Sequence, residues 1–132
     1  MTNQITNAND KVNVRHKFDL EERTAKFSEA AITFAKKIPE NSVTKPIIIQ
    51  FVKSATSVGA NYCEADDAES KKDFNHKIGI CKKEAREVKY WLRMIVVPAP
   101  MLKEEARVLW QEAKELNLIF NAIIRSSNKN MS

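Results

Sequence analysis

The sequence predicts an all-α protein folded as an antiparallel up-down-up-down four-helix bundle, and three observations carry that prediction. The 132 residues include only two glycines and four prolines, so the residues that most disfavour helix interiors are scarce. All four prolines, Pro39, Pro46, Pro98 and Pro100, fall between helical patterns, where a missing amide donor marks a boundary rather than breaking a helix. Four apolar stripes also recur with alternating three- and four-residue spacing, which keeps one seam of each helix facing its neighbours at crossings near 20°. Short connections then make consecutive helices antiparallel. A chain of this length is one domain that buries roughly two thirds of its unfolded surface.

Helix 1 is expected over about residues 19–38. Asp19 can accept from first-turn amides and Glu22 can reach back, a capping box. Its stripe is Leu20, Thr24, Phe27, Ala31, Phe34 and Ile38. Residues 1–17 read as a flexible arm, disordered through about residue 10, with a weak extended alternation at Val12, Val14, His16 and Phe18. Helix 2, about 44–67, carries Ile48, Phe51, Ala55, Val58, Tyr62 and Ala65. A boundary near residues 66–70 follows, where Ser70 and Asp73 resemble an N-cap with its reciprocal acid. Helix 3, about 70–97, carries Phe74, Ile78, Cys81, Ala85, Val88, Leu92 and Ile95. Helix 4, about 100–127, carries Leu102, Ala106, Leu109, Ala113, Leu116, Phe120 and Ile123. The bundle thus spans residues 18–127, and residues 128–132 are a fraying tail.

More apolar residues are present than four seams can use. Helix 4 adds Met101, Val108, Trp110, Leu118, Ile119, Ala122 and Ile124; helix 2 adds Ile47, Ile49 and Val52; helix 3 adds Ile80, Trp91 and Met94. A wide core is one destination for them. Self-association through helix 4 and its neighbours is the favoured one, because soluble monomers rarely expose so large a patch. Gly59 and Gly79 sit inside helical patterns at a cost of about 1 kcal/mol each relative to alanine, which suggests close approach of another backbone.

Charge is concentrated. Residues 71–93 hold eight Lys or Arg against three acids, which equals the +5 of the whole chain and leaves the remainder balanced. Lys82, Arg86, Lys89 and Arg93 are spaced four, three and four and so align on one edge, with Lys72 and Lys83 nearby. Such an edge suits phosphates, bound by counterion release with little sequence reading. Beside the seams lies a polar set, Asn61 and Glu64 on helix 2 with Glu84, Arg86 and Glu87 on helix 3. It reads either as a helix–helix or subunit contact that fixes register, or as solvated pairs three or four residues apart.

Other classes find little support. No apolar run approaches the ~20 residues that span a bilayer, and the polar N-terminus lacks a signal-peptide centre. Cys63 and Cys81 read as reduced thiols of a cytoplasmic protein. Asp73 to His76 imitates half of a di-metal motif, but His16, placed outside the bundle, cannot complete it; no metal site and no cofactor are expected. Neither a phosphate loop nor a positioned nucleophile is present, so no enzyme is expected.

The segments FDLEERT (18–24), SVGANYCEADDAESKKDFNHKIGI (57–80) and KEAREVKYWL (83–92) resemble the four-helix-bundle family of ribosomal RNA intervening-sequence proteins, which includes the accessory variability determinants of diversity-generating retroelements. The resemblance runs from Phe18 to about Ile124. It implies a ring-like homopentamer, and for the retroelement relatives it implies binding of nucleic acid and of a reverse transcriptase. This chain departs from many relatives at Glu64-Ala65, where they have Glu-Gly. Two functions follow as expectations. One is a non-enzymatic oligomeric module binding RNA or DNA through helix 3. The other is a structural adaptor ring recruiting a protein such as a reverse transcriptase, with Gly59, Asn61, Glu64, Gly79, Glu84, Glu87, Trp91, Trp110, Leu118, Ile119 and Ala122 as structural or interface positions.

Overall fold

The computed structural model describes the backbone of residues 8–131 and the side chains of residues 20–129. The described chain is all-helical: α1 (Ala8–Ala35), α2 (Thr44–Asp66), α3 (Lys71–Ile95), a 3-10 turn (Pro100–Leu102) and α4 (Lys103–Met131). Cross-helix contacts establish the antiparallel order. Thr24 lies against Gly59 while Ser28 donates to the Ala55 carbonyl, Lys77 meets Glu64 while Cys81 meets Val58, and Asn75 meets Asn128 while Lys82 meets Asn121. In each pair of helices the numbering rises on one and falls on the other. Each helix packs closely on its successor, whereas α1 and α4 approach at few places.

Local chemistry sets most boundaries. Asn41 starts α2: its Oδ1 accepts from the amides of Val43 and Thr44 at 2.9 and 3.0 Å, and its carbonyl accepts from Lys45. Thr44 locks this turn by donating to the Pro39 carbonyl at 2.7 Å. Ser70 caps α3 in extended conformation, accepting from the Asp73 amide at 3.1 Å. Pro100 opens the 3-10 turn, where its missing amide leaves nothing unsatisfied.

The beginning of α1 differs from expectation. The helix starts at Ala8 rather than at an Asp19 cap, and it replaces the extended reading of Val12, Val14, His16 and Phe18. Residues 8–18 contain neither glycine nor proline, so a helix nucleated downstream propagates through them at one hydrogen bond per residue. His16 therefore falls on α1 and not outside the helices. Residues 1–7 of the arm expected over 1–17, and the side chain of Asp19, lie outside the described residues. At the other end α4 continues to Met131 through the stretch expected to fray; Ser132 lies outside the described residues.

The four stripes form one core. Every stripe position is buried except Ile48, Phe74 and Ile123, which pack against the core partly buried. Phe51 and Phe120 are wholly enclosed, each contributing roughly 1.5–3 kcal/mol of burial. The surplus apolar residues divide. Ile47, Val52, Trp91, Ile119 and Ile124 join the core margin, while Ile49, Met101, Val108, Trp110 and Leu118 stay exposed.

The two interior glycines have different surroundings. A Cβ on Gly59 would sit 3.3 Å from Thr24 Oγ1, and that oxygen is fixed by its bond to the Leu20 carbonyl at 2.7 Å. Gly59 therefore lets α1 approach α2 within the chain. A Cβ on Gly79 would meet nothing within 4 Å. Gly79→Ala is expected to raise stability by about 1 kcal/mol in urea unfolding. Gly59→Ala is expected to fall below it by about 1–3 kcal/mol, since Thr24 cannot yield.

Candidate nucleic-acid interface on α3 and α4

Each helix of the bundle has one buried seam and two flanks, and α3 divides its charge between them, with Lys77, paired to Glu64, a cation on the flank toward α2. The flank toward α2 holds the acids Glu84 and Glu87. Trp91 donates from Nε1 to Glu87 at 3.1 Å, and half-burial followed by the neighbouring Glu87 charge raises the Glu84 carboxyl above its ordinary 4.5. The flank toward α4 holds Lys82, Lys89 and Arg93. Lys82 reaches Asn121 Oδ1 at 3.0 Å, while Asn117 donates to the Lys82 carbonyl at 2.7 Å. Two asparagines of α4 thus pin this flank to its neighbour. The Lys89 ammonium lies 5.4 Å from the centre of the Trp110 ring. Lys72, Lys83 and Arg86 are exposed on the outer surface of α3.

Helix α4 is arranged to match. Its acids Glu105, Glu112 and Glu115 point toward α1. There Arg23 binds Glu112 with two hydrogen bonds of 2.7 and 2.8 Å and Glu115 with one of 2.9 Å. Lys37 meets Glu105 at 2.8 Å. Hydrogen bonds from Gln111 and then Arg23 hold the Glu115 carboxyl below its ordinary range. Lys103 and Lys114 lie on the opposite flank of α4 beside α3, and Arg107, 3.6 Å from Glu104, borders the grooves on both sides of α4. The Lys114 ammonium lies 5.7 Å from the Trp110 ring centre. A hollow of about 240 Å³ is floored by Leu92, Val96 and Ala106 and bordered by Arg93, Lys103, Arg107 and Trp110.

The basic edge legible in the sequence lies on α3 alone, and Lys103, Arg107 and Lys114 extend it onto α4. The signal available was their spacing of four and seven, which keeps them on one side of α4. It was hidden because the helix as a whole, with five cations and four acids, is nearly neutral. The exposed aromatic side chain at this face is Trp110, 37% exposed; Tyr90, also exposed, rests edge-on against Trp91, which lies on the flank toward α2.

The remaining sequence-singled positions are spread out. Asn61 donates to its own helix at the Ser57 carbonyl. Glu64 bridges to Lys77 across the α2–α3 seam at 2.6 Å. Leu118 and Ala122 face outward on α4, while Ile119 lies at the core margin. Cys81 is buried, its thiol pushed up to about 12 by burial and directed at the Val58 carbonyl; Cys63 is exposed. Among the described residues no group of three His, Cys, Asp or Glu could hold a metal ion. No described helix is long and apolar enough to cross a membrane.

Residues 16–122 match the family profile described as 23S rRNA-intervening sequence protein. The crystal structure of a protein of unknown function from the S23 ribosomal protein family of Bacteroides thetaiotaomicron VPI-5482 is similar to this chain. It has a TM-score of 0.71 at 25% identity, covering 83% of this chain and 97% of that one. No curated protein matches the chain.

The environment of Glu84 has a measurable consequence. Its carboxyl is raised in the folded state, so the folded protein binds this proton more tightly than the unfolded chain. Ionised Glu84 therefore opposes folding at neutral pH, and the penalty disappears as pH falls to about 4.5 and below. Glu84→Gln is expected to raise the unfolding midpoint in urea at pH 7, with the gain shrinking toward pH 4. A gain that is constant with pH would assign the effect to packing instead.

Proposed function

We propose that this chain, which belongs to the 23S rRNA-intervening sequence protein family, is a non-enzymatic nucleic-acid-binding protein whose contact surface is the basic face shared by α3 and α4. The observation that supports this most is the sorting of charge by flank. Lys82, Lys89 and Arg93 on α3 oppose Lys103, Arg107 and Lys114 on α4, while Glu84 and Glu87 of α3 and Glu105, Glu112 and Glu115 of α4 are turned to other seams; Glu104 remains beside the face, 3.6 Å from Arg107. A surface with cations on both banks of one groove binds phosphates electrostatically, and it reads backbone before sequence. The family description ties these proteins to 23S rRNA intervening sequences, which makes ribosomal RNA fragments the natural probe.

A second reading is favoured by Ile49, Val108 and Leu118, which remain exposed after the core is filled. Self-association would cover them, and a ring-like homopentamer would repeat the basic face around its rim. In that form the ring could also recruit a protein such as a reverse transcriptase, with the cations incidental. Light scattering on a size-exclusion column checks the assembly: a mass of five chains supports the ring, and the mass of one chain removes it.

Binding of a ribosomal RNA fragment, titrated at several salt concentrations, tests the nucleic-acid reading. The Lys89→Ala/Arg93→Ala and Lys103→Ala/Arg107→Ala pairs are each expected to reduce the slope of log affinity against log salt by about 2. Lys36→Ala, on the far side of the bundle, should leave it unchanged. A slope insensitive to the α4 pair would reject the shared face.

A further inference from the structure

The hollow beside Trp110 differs from the rest of the basic face. Elsewhere the cations stand over helix surface, but here they ring an apolar floor made by Leu92, Val96 and Ala106. An exposed indole forms one wall of it. Phosphate recognition has no use for an apolar floor, whereas a nucleobase does, because its faces are apolar and its attached phosphates are anionic. Resting on the nucleic-acid reading above, we infer that Trp110 and this hollow form a subsite for an unpaired base of a single strand, with Arg93, Lys103 and Arg107 holding the flanking phosphates.

The lysines beside the indole fit this role. Lys89 and Lys114 both hold their ammonium groups over the Trp110 ring, at 5.4 and 5.7 Å from its centre. An exposed cation–π contact is worth about 2- to 5-fold in an equilibrium constant, whereas stacking of a base on an aromatic ring is worth about 5- to 150-fold. A base can therefore displace an ammonium from the ring at a net gain. The displaced lysine stays within its own side-chain reach of the strand and becomes a phosphate ligand. Without a strand, the two lysines shield the indole from water and from other apolar surfaces. A duplex keeps its bases stacked on one another and offers only its backbone to this face, so the subsite favours single-stranded RNA or DNA over duplex.

Three probes of equal length separate the possibilities: an oligothymidylate, its abasic counterpart and a duplex. The wild-type protein is expected to bind the oligothymidylate about 5- to 150-fold more tightly than the abasic strand. Trp110→Ala should remove that difference while leaving affinity for the abasic strand and the duplex unchanged, and Trp110→Phe should keep part of it. In a Trp91→Phe background Trp110 is the sole tryptophan, and its fluorescence should be quenched by the oligothymidylate and not by the abasic strand. Equal binding of oligothymidylate and abasic strand, with normal salt dependence, would overturn the subsite and leave the basic-face reading intact. Failure to bind any of the three would overturn both. Thymidine monophosphate binding as tightly as the oligomer would replace the strand site by a mononucleotide pocket and so reject the inference as stated.

Discussion

The constraint on which the rest of this structure depends is the burial of one apolar seam per helix. Once Phe27, Phe51, Val88 and Phe120 are committed to the interior, each helix has no rotational freedom left. Its two flanks are then assigned to particular neighbours, and any charge on a flank belongs to a particular groove. The polar contacts are weaker than the seam and follow from it. Arg23 meets Glu112 because the seams of α1 and α4 aim those flanks at each other. Lys89 meets Trp110 for the same reason on α3 and α4.

This assignment converts a modest net charge into a strongly uneven surface. Four-helix order gives α3 a flank toward α2 and another toward α4. Glu84 and Glu87 lie on the first, together with Lys77 paired to Glu64, and Lys82, Lys89 and Arg93 lie on the second. Helix α4 repeats the division, with Glu105, Glu112 and Glu115 toward α1, Lys103 and Lys114 toward α3, and Arg107 bordering both grooves. The acids are neutralised locally by Arg23 and Lys37, which leaves the α3–α4 groove bordered by cations. Screening in physiological salt limits each exposed charge to a range of about 8 Å. Local density, rather than the +5 of the chain, therefore decides what this groove attracts.

The sequence made the seams legible because helical periodicity is a property of one element at a time. The stripes, the Ser70 cap and the punctuation by proline all depend on residues within a few positions of each other. What it could not show was pairing between flanks, which needs both the rotation of two helices and their relative axial position. The Arg23–Glu112 contact and the two lysines at Trp110 are of that kind. Gly59 and Gly79 make the same point, since both interrupt a helical pattern and only Gly59 has another helix against it. The early start of α1 was missed for a different reason. A capping signal at Asp19 was present, but nothing in residues 8–18 opposed continuation of the helix.

The two flanks of α4 also differ in how firmly they are held. Toward α1 the joint relies on ion pairs that are a third to a half exposed, individually worth about 0–1 kcal/mol after screening. The groove there, about 880 Å³, stays open over Phe27, Ala30, Val108 and Leu109. Toward α3 the joint is closely packed and fixed by amides: Asn117 on the Lys82 carbonyl, Asn121 on the Lys82 ammonium, and Asn75 with Asn128. The bonds between neutral groups, Asn117 to the Lys82 carbonyl and Asn75 to Asn128, are little affected by salt, so the α3–α4 spacing holds across the ionic strengths at which phosphate contacts come and go. A surface that binds through many weak charges loses affinity to every side chain or helix it must first order. Placing the cations on the amide-pinned seam avoids ordering the backbone on binding, and only the lysine and arginine side chains have to settle.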